Sequence, residues 1–191
     1  MQDNHEDLSV WDVDPVSSML QRIHFQYVSK RLRYFSVVSE KRGEGKTTVS
    51  ILLARGLAEI YGFKVLLVDL NSQGDHLLSK YLRDYQTENG IVLESQFPFS
   101  IFRIKDLDVD WTQNVFDGPY LNRLITNFTS TFDIVIVDIA NPYNENEAYL
   151  KVNTDSNLIV CSQSLGHDKN SKLQNEIELN RKNIIGVVLN K

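Results

Sequence analysis

The sequence predicts an α/β fold, in which a mostly parallel, twisted sheet carries helices on both faces. Segments typical of strands and of helices alternate along the chain. The strand-like segments are apolar at consecutive positions, which is typical of strands that are buried on both faces. The chain has 191 residues, 42% of them hydrophobic and 24% charged, which suits one globular domain with a sizeable core.

The chain begins with an acidic, polar stretch, residues 1–14, which we expect to be a flexible arm. Residues 15–191 form the predicted domain. An Asp-Pro pair marks the start of its first helix, and apolar residues then recur at four-residue steps along one helical face.

The remaining elements follow from runs of β-branched and aromatic residues for strands, and from apolar residues at helical spacing for helices. The predicted strands are residues 34–39, 64–70, 99–107, 132–140, 155–163 and 184–191, and the predicted helices are 46–62, 118–130 and 168–183, with a short helix or turn at 76–82. The run "NGIVLES" at 89–95 is compatible with a helix or a strand. The last strand is expected to be buried like the others.

Composition excludes several classes of function. The net charge of -5 gives no general attraction to the phosphates of nucleic acid, so we expect no nucleic-acid partner. No apolar run approaches the roughly 18 residues that a membrane-spanning helix needs, and the start of the chain resembles no targeting peptide, so we expect a cytoplasmic protein without a direct membrane span. The four histidines show no metal-ligand spacing, and Cys161 is predicted to be a buried thiol.

The stretch "SEKRGEGKTT", residues 39–48, is a candidate phosphate-binding loop. It follows a predicted buried strand and opens a predicted helix, the context in which backbone N–H groups form a cradle for phosphate oxygens. Gly43 and Gly45 allow close approach of the backbone, and Glu44 lies between them. The opening glycine of the usual pattern is replaced by Glu40. The alternative is an ordinary turn rich in glycine and charge.

Three side chains after the glycines fit such a site. Lys46 would bridge the β- and γ-phosphates of a nucleotide, the Thr47 hydroxyl would hold Mg²⁺, and Thr48 could donate to the α-phosphate. These types of residue at this spacing predict binding of a magnesium nucleotide.

Two aspartates end two of the predicted strands. Asp69 and Asp138 would therefore lie at the carboxyl edge of a parallel sheet, beside the loop, where a carboxylate can hold Mg²⁺, orient one of its waters or act as a base. Either alone could be an aspartate in a strand-end turn. Asn190 ends the last strand, where its amide could read the edge of adenine or simply terminate the strand.

The segments "SEKRGEGKTTVSILLARGLAEIYGFKVLLVDLN", "FDIVIVDIANP" and "NIIGVVLNK" resemble the deviant P-loop ATPases of the ParA/MinD class, over about residues 16–191. Within that class, "GEGKTT" and "GPYLNRLITNFTSTFDIVIVDIANP" are most similar to the bacterial tyrosine kinases (BY-kinases) of capsule and exopolysaccharide synthesis. By contrast, "VDLNSQGD" is closer to ParA partition ATPases. Lys41 occupies the position of the signature lysine that reaches across a ParA or MinD dimer to the partner's nucleotide.

This resemblance implies an ATPase that uses ATP and Mg²⁺, with Lys41, Lys46, Asp69 and Asp138 as its catalytic residues. It also implies a homo-oligomer and, for the BY-kinase branch, regulation of polysaccharide synthesis or export with an inner-membrane polysaccharide co-polymerase that would bring the protein to the membrane face. The alternatives are a dimerising positioning ATPase and a degenerate nucleotide-binding regulatory subunit.

The sequence departs from the BY-kinase pattern in ways that put tyrosine phosphorylation in doubt. The second aspartate of that family is Asn71 here, and an amide cannot act as a base. The C-terminal tyrosine cluster is absent, since no tyrosine follows Tyr149, and the arginine-rich oligomerisation helix is reduced to Arg22.

Overall fold

The computed structural model describes residues 13–39, 41–70, 91–93, 97–103, 118–139, 154–162 and 184–190. Within these ranges the chain forms three helices and seven strands. The helices are α1 (Val13–Lys30), α2 (Lys46–Tyr61) and α3 (Gly118–Phe128), and the strands are β1 (Tyr34–Val38), β2 (Val65–Asp69), β3 (Ile91–Leu93), β4 (Ser100–Arg103), β5 (Ile134–Asp138), β6 (Ser156–Ser162) and β7 (Ile184–Asn190).

The seven strands form one sheet in the order β3-β4-β2-β5-β1-β6-β7. Every neighbouring pair is parallel except β3 and β4, which are antiparallel. The prediction of a mostly parallel sheet is thereby confirmed. Of the segment 89–95, which the sequence left open between helix and strand, the described residues 91–93 are extended and form β3, at one end of the described sheet.

Helices pack on both faces of the sheet, as predicted. Alternate strand residues point to opposite faces. One face, which includes Phe35, Leu67 and Ile136, packs against α1 and α2 in the larger core. The other face, which includes Val68 and Val137, packs against α3 in a second core.

Helix α2 runs from the carboxyl edge of the sheet to its amino edge. Gly62, the last residue of the helix predicted at 46–62, ends it, because it adopts a left-handed φ of 69° and its N–H donates to the carbonyl of Ala58 at 3.1 Å. Its neighbour α1 presents Met19 and Ile23, two of the apolar residues that recur at four-residue steps, to the core, which confirms the predicted helical face.

The prediction that the last strand is buried is wrong for β7. Val187 and Leu189 are 47% and 60% exposed, whereas Ile185 is fully buried. The strand stands last in the sheet order and pairs with β6 alone among the described strands, with a register shift near Asn157. An apolar run therefore does not by itself distinguish a central strand from an edge strand.

Several predictions lie outside the described residues, namely most of the acidic arm predicted at residues 1–14, the short helix or turn at 76–82 and the helix at 168–183. Residues 13 and 14 of the predicted arm are the first two residues of α1. The division into an arm and one domain stays a prediction. Cys161 is buried, as predicted. Among the described residues, no helix has the length and apolar character needed to cross a membrane.

Candidate functional site

The predicted site residues converge on the carboxyl edge of the sheet. The loop follows β1 and opens α2, while Asp69 and Asp138 end the neighbouring strands β2 and β5. These two aspartates are direct partners in the parallel register, so they lie side by side. Strand β1 flanks β5 on its other side, with Val37 opposite Asp138. The fold therefore brings the loop and both carboxylates together.

The loop backbone depends on two glycines in left-handed conformations, Gly43 at φ 86° and Gly45 at φ 91°. A side chain with a Cβ would be strained at either position. Gly45 is also the N-cap of α2, and no side chain caps this helix end, nor does an acidic residue stand in its first turn. Uncapped N–H groups and the positive end of the helix dipole are features that bind an anion.

Three polar side chains brace the loop from within. The Lys46 ammonium donates to Ser39 Oγ at 2.8 Å, and that hydroxyl donates to the carbonyl of Lys41 at 2.8 Å. The Lys41 N–H donates to Glu44 Oε2 at 2.9 Å. Glu44 is only 6% exposed, whereas Lys41 is exposed. The backbone of Lys41 is thus held at both its N–H and its carbonyl, while its side chain faces outwards.

The two carboxylates sit in an environment that disfavours their charge. Asp138 is 3% exposed and Asp69 is 9% exposed. The pKa of Asp138 is raised to about 7, chiefly because burial penalises the carboxylate and then because Asp69 repels it. A hydrogen bond from Thr47 and the charge of Lys46 act in the opposite direction.

This carboxyl pair fits a divalent cation. Asp138 Oδ1 is fully buried and has no hydrogen-bond partner among the described residues. Buried polar atoms are normally paired, so an unpaired carboxylate oxygen beside a second carboxylate indicates a place for a positive charge. Oxygen ligands of this kind, together with the Thr47 hydroxyl, are the type that Mg²⁺ prefers.

Asn190, at the end of β7, also reaches the loop. Its Nδ2 donates to the carbonyl of Glu44 at 3.0 Å. The reading of adenine by this amide stays a prediction. Thr48 lies exposed on the first turn of α2, and Gly43 is exposed in the loop.

Sequence reasoning missed two features of this site. Ser39 was not singled out, although its hydroxyl joins Lys46 to the loop backbone, because the loop pattern assigns no role to the position that ends the strand. The second feature is the carboxylate of Glu44, which accepts the Lys41 N–H, whereas the place of Glu44 in the phosphate cradle stays a prediction. Motif spacing does not show that a buried carboxylate accepts the backbone N–H of the residue three positions before it.

Comparison with known proteins agrees with this geometry. Residues 35–191 match the model of the CobQ/CobB/MinD/ParA nucleotide binding domain. The tyrosine-protein kinase CpsD of Streptococcus agalactiae serotype III (strain NEM316) is 24% identical over 184 residues, which cover 89% of this chain and 79% of the relative. CpsD of Streptococcus pneumoniae is 26% identical over 184 residues, 88% of this chain and 80% of the relative.

Solved structures show the same fold. The kinase domain of the Escherichia coli tyrosine kinase ETK superposes with a TM-score of 0.67 at 19% identity, over 92% of this chain and 73% of that one. The cell division ATPase MinD of Pyrococcus furiosus superposes with a TM-score of 0.64 at 24% identity, over 82% and 71%. With the family model spanning most of its length, the chain belongs to the CobQ/CobB/MinD/ParA family of nucleotide-binding domains, and within it resembles the BY-kinase domains.

Proposed function

We propose that this protein is a cytoplasmic ATPase that binds Mg·ATP in the loop of residues 39–48 and hydrolyses it. The observation that carries the proposal is the buried, partly unpaired carboxyl of Asp138, which lies beside Asp69 and receives the hydrogen bond of Thr47. A structural aspartate would have its acceptors filled by the protein. The carboxyl of Asp138 therefore suits a cation such as Mg²⁺, which would accompany phosphates bound to the neighbouring loop.

Each residue has a role that follows from its position. The N–H groups at the start of α2 bind phosphate oxygens, and Lys46 moves from Ser39 Oγ to the β- and γ-phosphates. Thr47, Asp69 and Asp138 would hold Mg²⁺, which would supply positive charge beside the phosphates. Hydrolysis forms a bond from a water oxygen to the γ-phosphorus and breaks the bond to the bridging oxygen, and the products are ADP, inorganic phosphate and a proton. Either aspartate can orient the attacking water.

We further propose that the ATPase regulates polysaccharide synthesis or export, as a homo-oligomer that works with an inner-membrane polysaccharide co-polymerase. The resemblance to the tyrosine kinases named above supports this assignment. Tyrosine phosphorylation is left out of the proposal, because Asn71 stands where the resemblance to the BY-kinases would place a second aspartate.

Incubation of the purified protein with ATP and Mg²⁺ tests the proposal, with phosphate release and phosphotyrosine blotting as the two readouts. We expect phosphate release without phosphotyrosine. Lys46→Ala should reduce release at least about 100-fold, because it removes the positive charge that acts on the transferred phosphate. Lys64→Ala is the matched control, since Lys64 is an exposed lysine before β2 at the opposite edge of the sheet. Equal release by wild type and Lys46→Ala would disprove the site.

The exposed side chain of Lys41 favours a second candidate, a positioning ATPase of the ParA/MinD type that dimerises on ATP. Ser39 and Glu44 fix the Lys41 backbone while its side chain faces outwards, as a residue that reaches a second subunit would. Light scattering with ATP distinguishes the candidates. A dimer that forms only with ATP and is lost in Lys41→Ala would favour this second function, and a nucleotide-independent oligomer would favour the first.

A further inference from the structure

We propose that Asn190 is a positioning residue, which aims the loop at the phosphates through the peptide bond between Glu44 and Gly45. The inference rests on the proposed nucleotide site and assigns the last strand a role in its phosphate-binding half. Asn190 lies 146 residues from Glu44 in the chain, so this contact depends on the complete sheet.

The contact is specific in its geometry. Asn190 Nδ2 donates to the Glu44 carbonyl at 3.0 Å. The side-chain amide also lies where a Cβ at position 45 would be, with Cγ only 3.2 Å from that point. Glycine at position 45 therefore serves two purposes, since it permits the left-handed φ of 91° and leaves room for the asparagine.

The bond from Asn190 to the Glu44 carbonyl also orients the adjacent N–H of Gly45. The peptide bond is planar and trans, so the Glu44 carbonyl and the Gly45 N–H point in opposite directions. With its carbonyl turned to Asn190, the Gly45 N–H is directed away from β7. Glu44 is held a second time through its carboxylate, which accepts the Lys41 N–H. The two bonds together fix the orientation of the peptide bond between Glu44 and Gly45.

A positioning role for Asn190 and recognition of adenine by Asn190 would affect different sets of ligands. A residue that reads the base affects only ligands that carry a base, whereas a residue that orients a loop amide affects every ligand that carries the phosphates. One of the two N–H groups of Nδ2, the donor that would serve adenine, is already engaged by Glu44. Asn190 should therefore contribute to the affinity for phosphates irrespective of the base.

Calorimetric titration with Mg·ATP and with magnesium tripolyphosphate, which has no base, tests this directly. We expect Asn190→Ala to weaken both ligands by the same factor, about 3- to 10-fold, the effect of one lost hydrogen bond. Asn190→Asp keeps the shape but places an acceptor against the carbonyl, so it should weaken both further. Leu189→Ser, an exposed neighbour on the same strand, is the control and should change neither. Loss of ATP affinity with tripolyphosphate unaffected, or no change in either, would overturn the inference.

A second measurement separates this inference from the proposed function. In the nucleotide-free protein, Asn190→Ala should shift the NMR amide signal of Gly45 and speed its hydrogen exchange, while thermal unfolding stays cooperative. If wild type bound neither ligand, the proposed function would fail, and a changed Gly45 amide would still support the positioning role. An unchanged Gly45 amide would overturn it.

Discussion

The aspartates at the two edges of the sheet differ in their burial and in their hydrogen-bond partners. At the amino edge, Asp155 Oδ2 accepts the N–H groups of Arg33 and Tyr34 at 3.0 and 3.3 Å. Asp133 Oδ2 in the same region accepts the Lys64 N–H at 2.8 Å. At the carboxyl edge, Asp138 lies buried with one oxygen unpartnered among the described residues.

The difference separates structural acid groups from functional ones. The amino-edge carboxylates lie near solvent and satisfy backbone donors, so they stabilise the strand starts. The carboxyl-edge pair is buried side by side, an arrangement that costs free energy in the unliganded protein and persists because the rest of the fold holds it. A buried carboxylate oxygen without a hydrogen-bond donor is thus a better indicator of a ligand-binding site than the presence of an aspartate alone.

The largest effect should come from the glycines at the two ends of α2. Gly45→Ala at the carboxyl edge combines a left-handed φ with a Cβ that displaces the Asn190 amide from its bond to Glu44, and we expect it to cost about 2–3 kcal/mol and to abolish nucleotide binding. Gly62→Ala at the amino edge has open space around its Cβ, so only the backbone strain of about 1 kcal/mol remains. Denaturant unfolding and ATP titration of both variants measure the contrast.

The same pair of variants can break the comparison. If nucleotide binding survives in Gly45→Ala, the loop tolerates a Cβ at a position where the structure leaves no room for one. Equal losses of stability and of binding in Gly45→Ala and Gly62→Ala would show that backbone strain alone accounts for both.

The next effect concerns the pH dependence of stability. Folding raises the pKa of Asp138 from 3.8 to about 7, chiefly through burial, so the folded state keeps a proton that the unfolded chain releases. We therefore expect the free energy of unfolding of the unliganded protein to fall as pH rises from about 4 to about 7. Asp138→Asn should be the more stable protein at pH 8, by about 1 kcal/mol or more, and should show no such gain at pH 4.

Denaturant unfolding across this pH range measures the difference between Asp138→Asn and wild type. Glu59→Gln serves as control, because Glu59 is an exposed carboxylate paired with Arg55 and its removal should shift stability by less than about 1 kcal/mol at every pH. A stability difference between Asp138→Asn and wild type that does not vary with pH would contradict the account of the buried pair.

The smallest effect is expected at the amino edge. Asp155→Ala removes the acceptor of two solvent-exposed N–H groups, which water can replace in part, so we expect a loss of about 1 kcal/mol. Nucleotide affinity should remain within about twofold of wild type, because the edge that carries Asp155 is opposite the loop. A large loss of affinity would mean that the two edges are coupled.

The sequence predicts those features of the structure that depend on residues close together in the chain. The loop, the helix that Gly62 ends and the two strand-end aspartates follow from short patterns, and the structure places them together. The exposure of Val187 and the bond from Asn190 to Glu44 depend on the order of strands in the sheet. Tertiary packing sets the order of the strands, so the position of β7 in the sheet cannot be predicted from its apolar sequence.

We infer that Asp138 is held ready for a cation that accompanies a nucleotide. The direct test is the affinity for ATP with and without Mg²⁺, measured by calorimetry on wild type and on Asp138→Asn. We expect Mg²⁺ to strengthen ATP binding to wild type at least about 10-fold and to give little or no gain in Asp138→Asn, where the charged oxygen ligand is gone. No binding to wild type, or a full Mg²⁺ effect in Asp138→Asn, would contradict it.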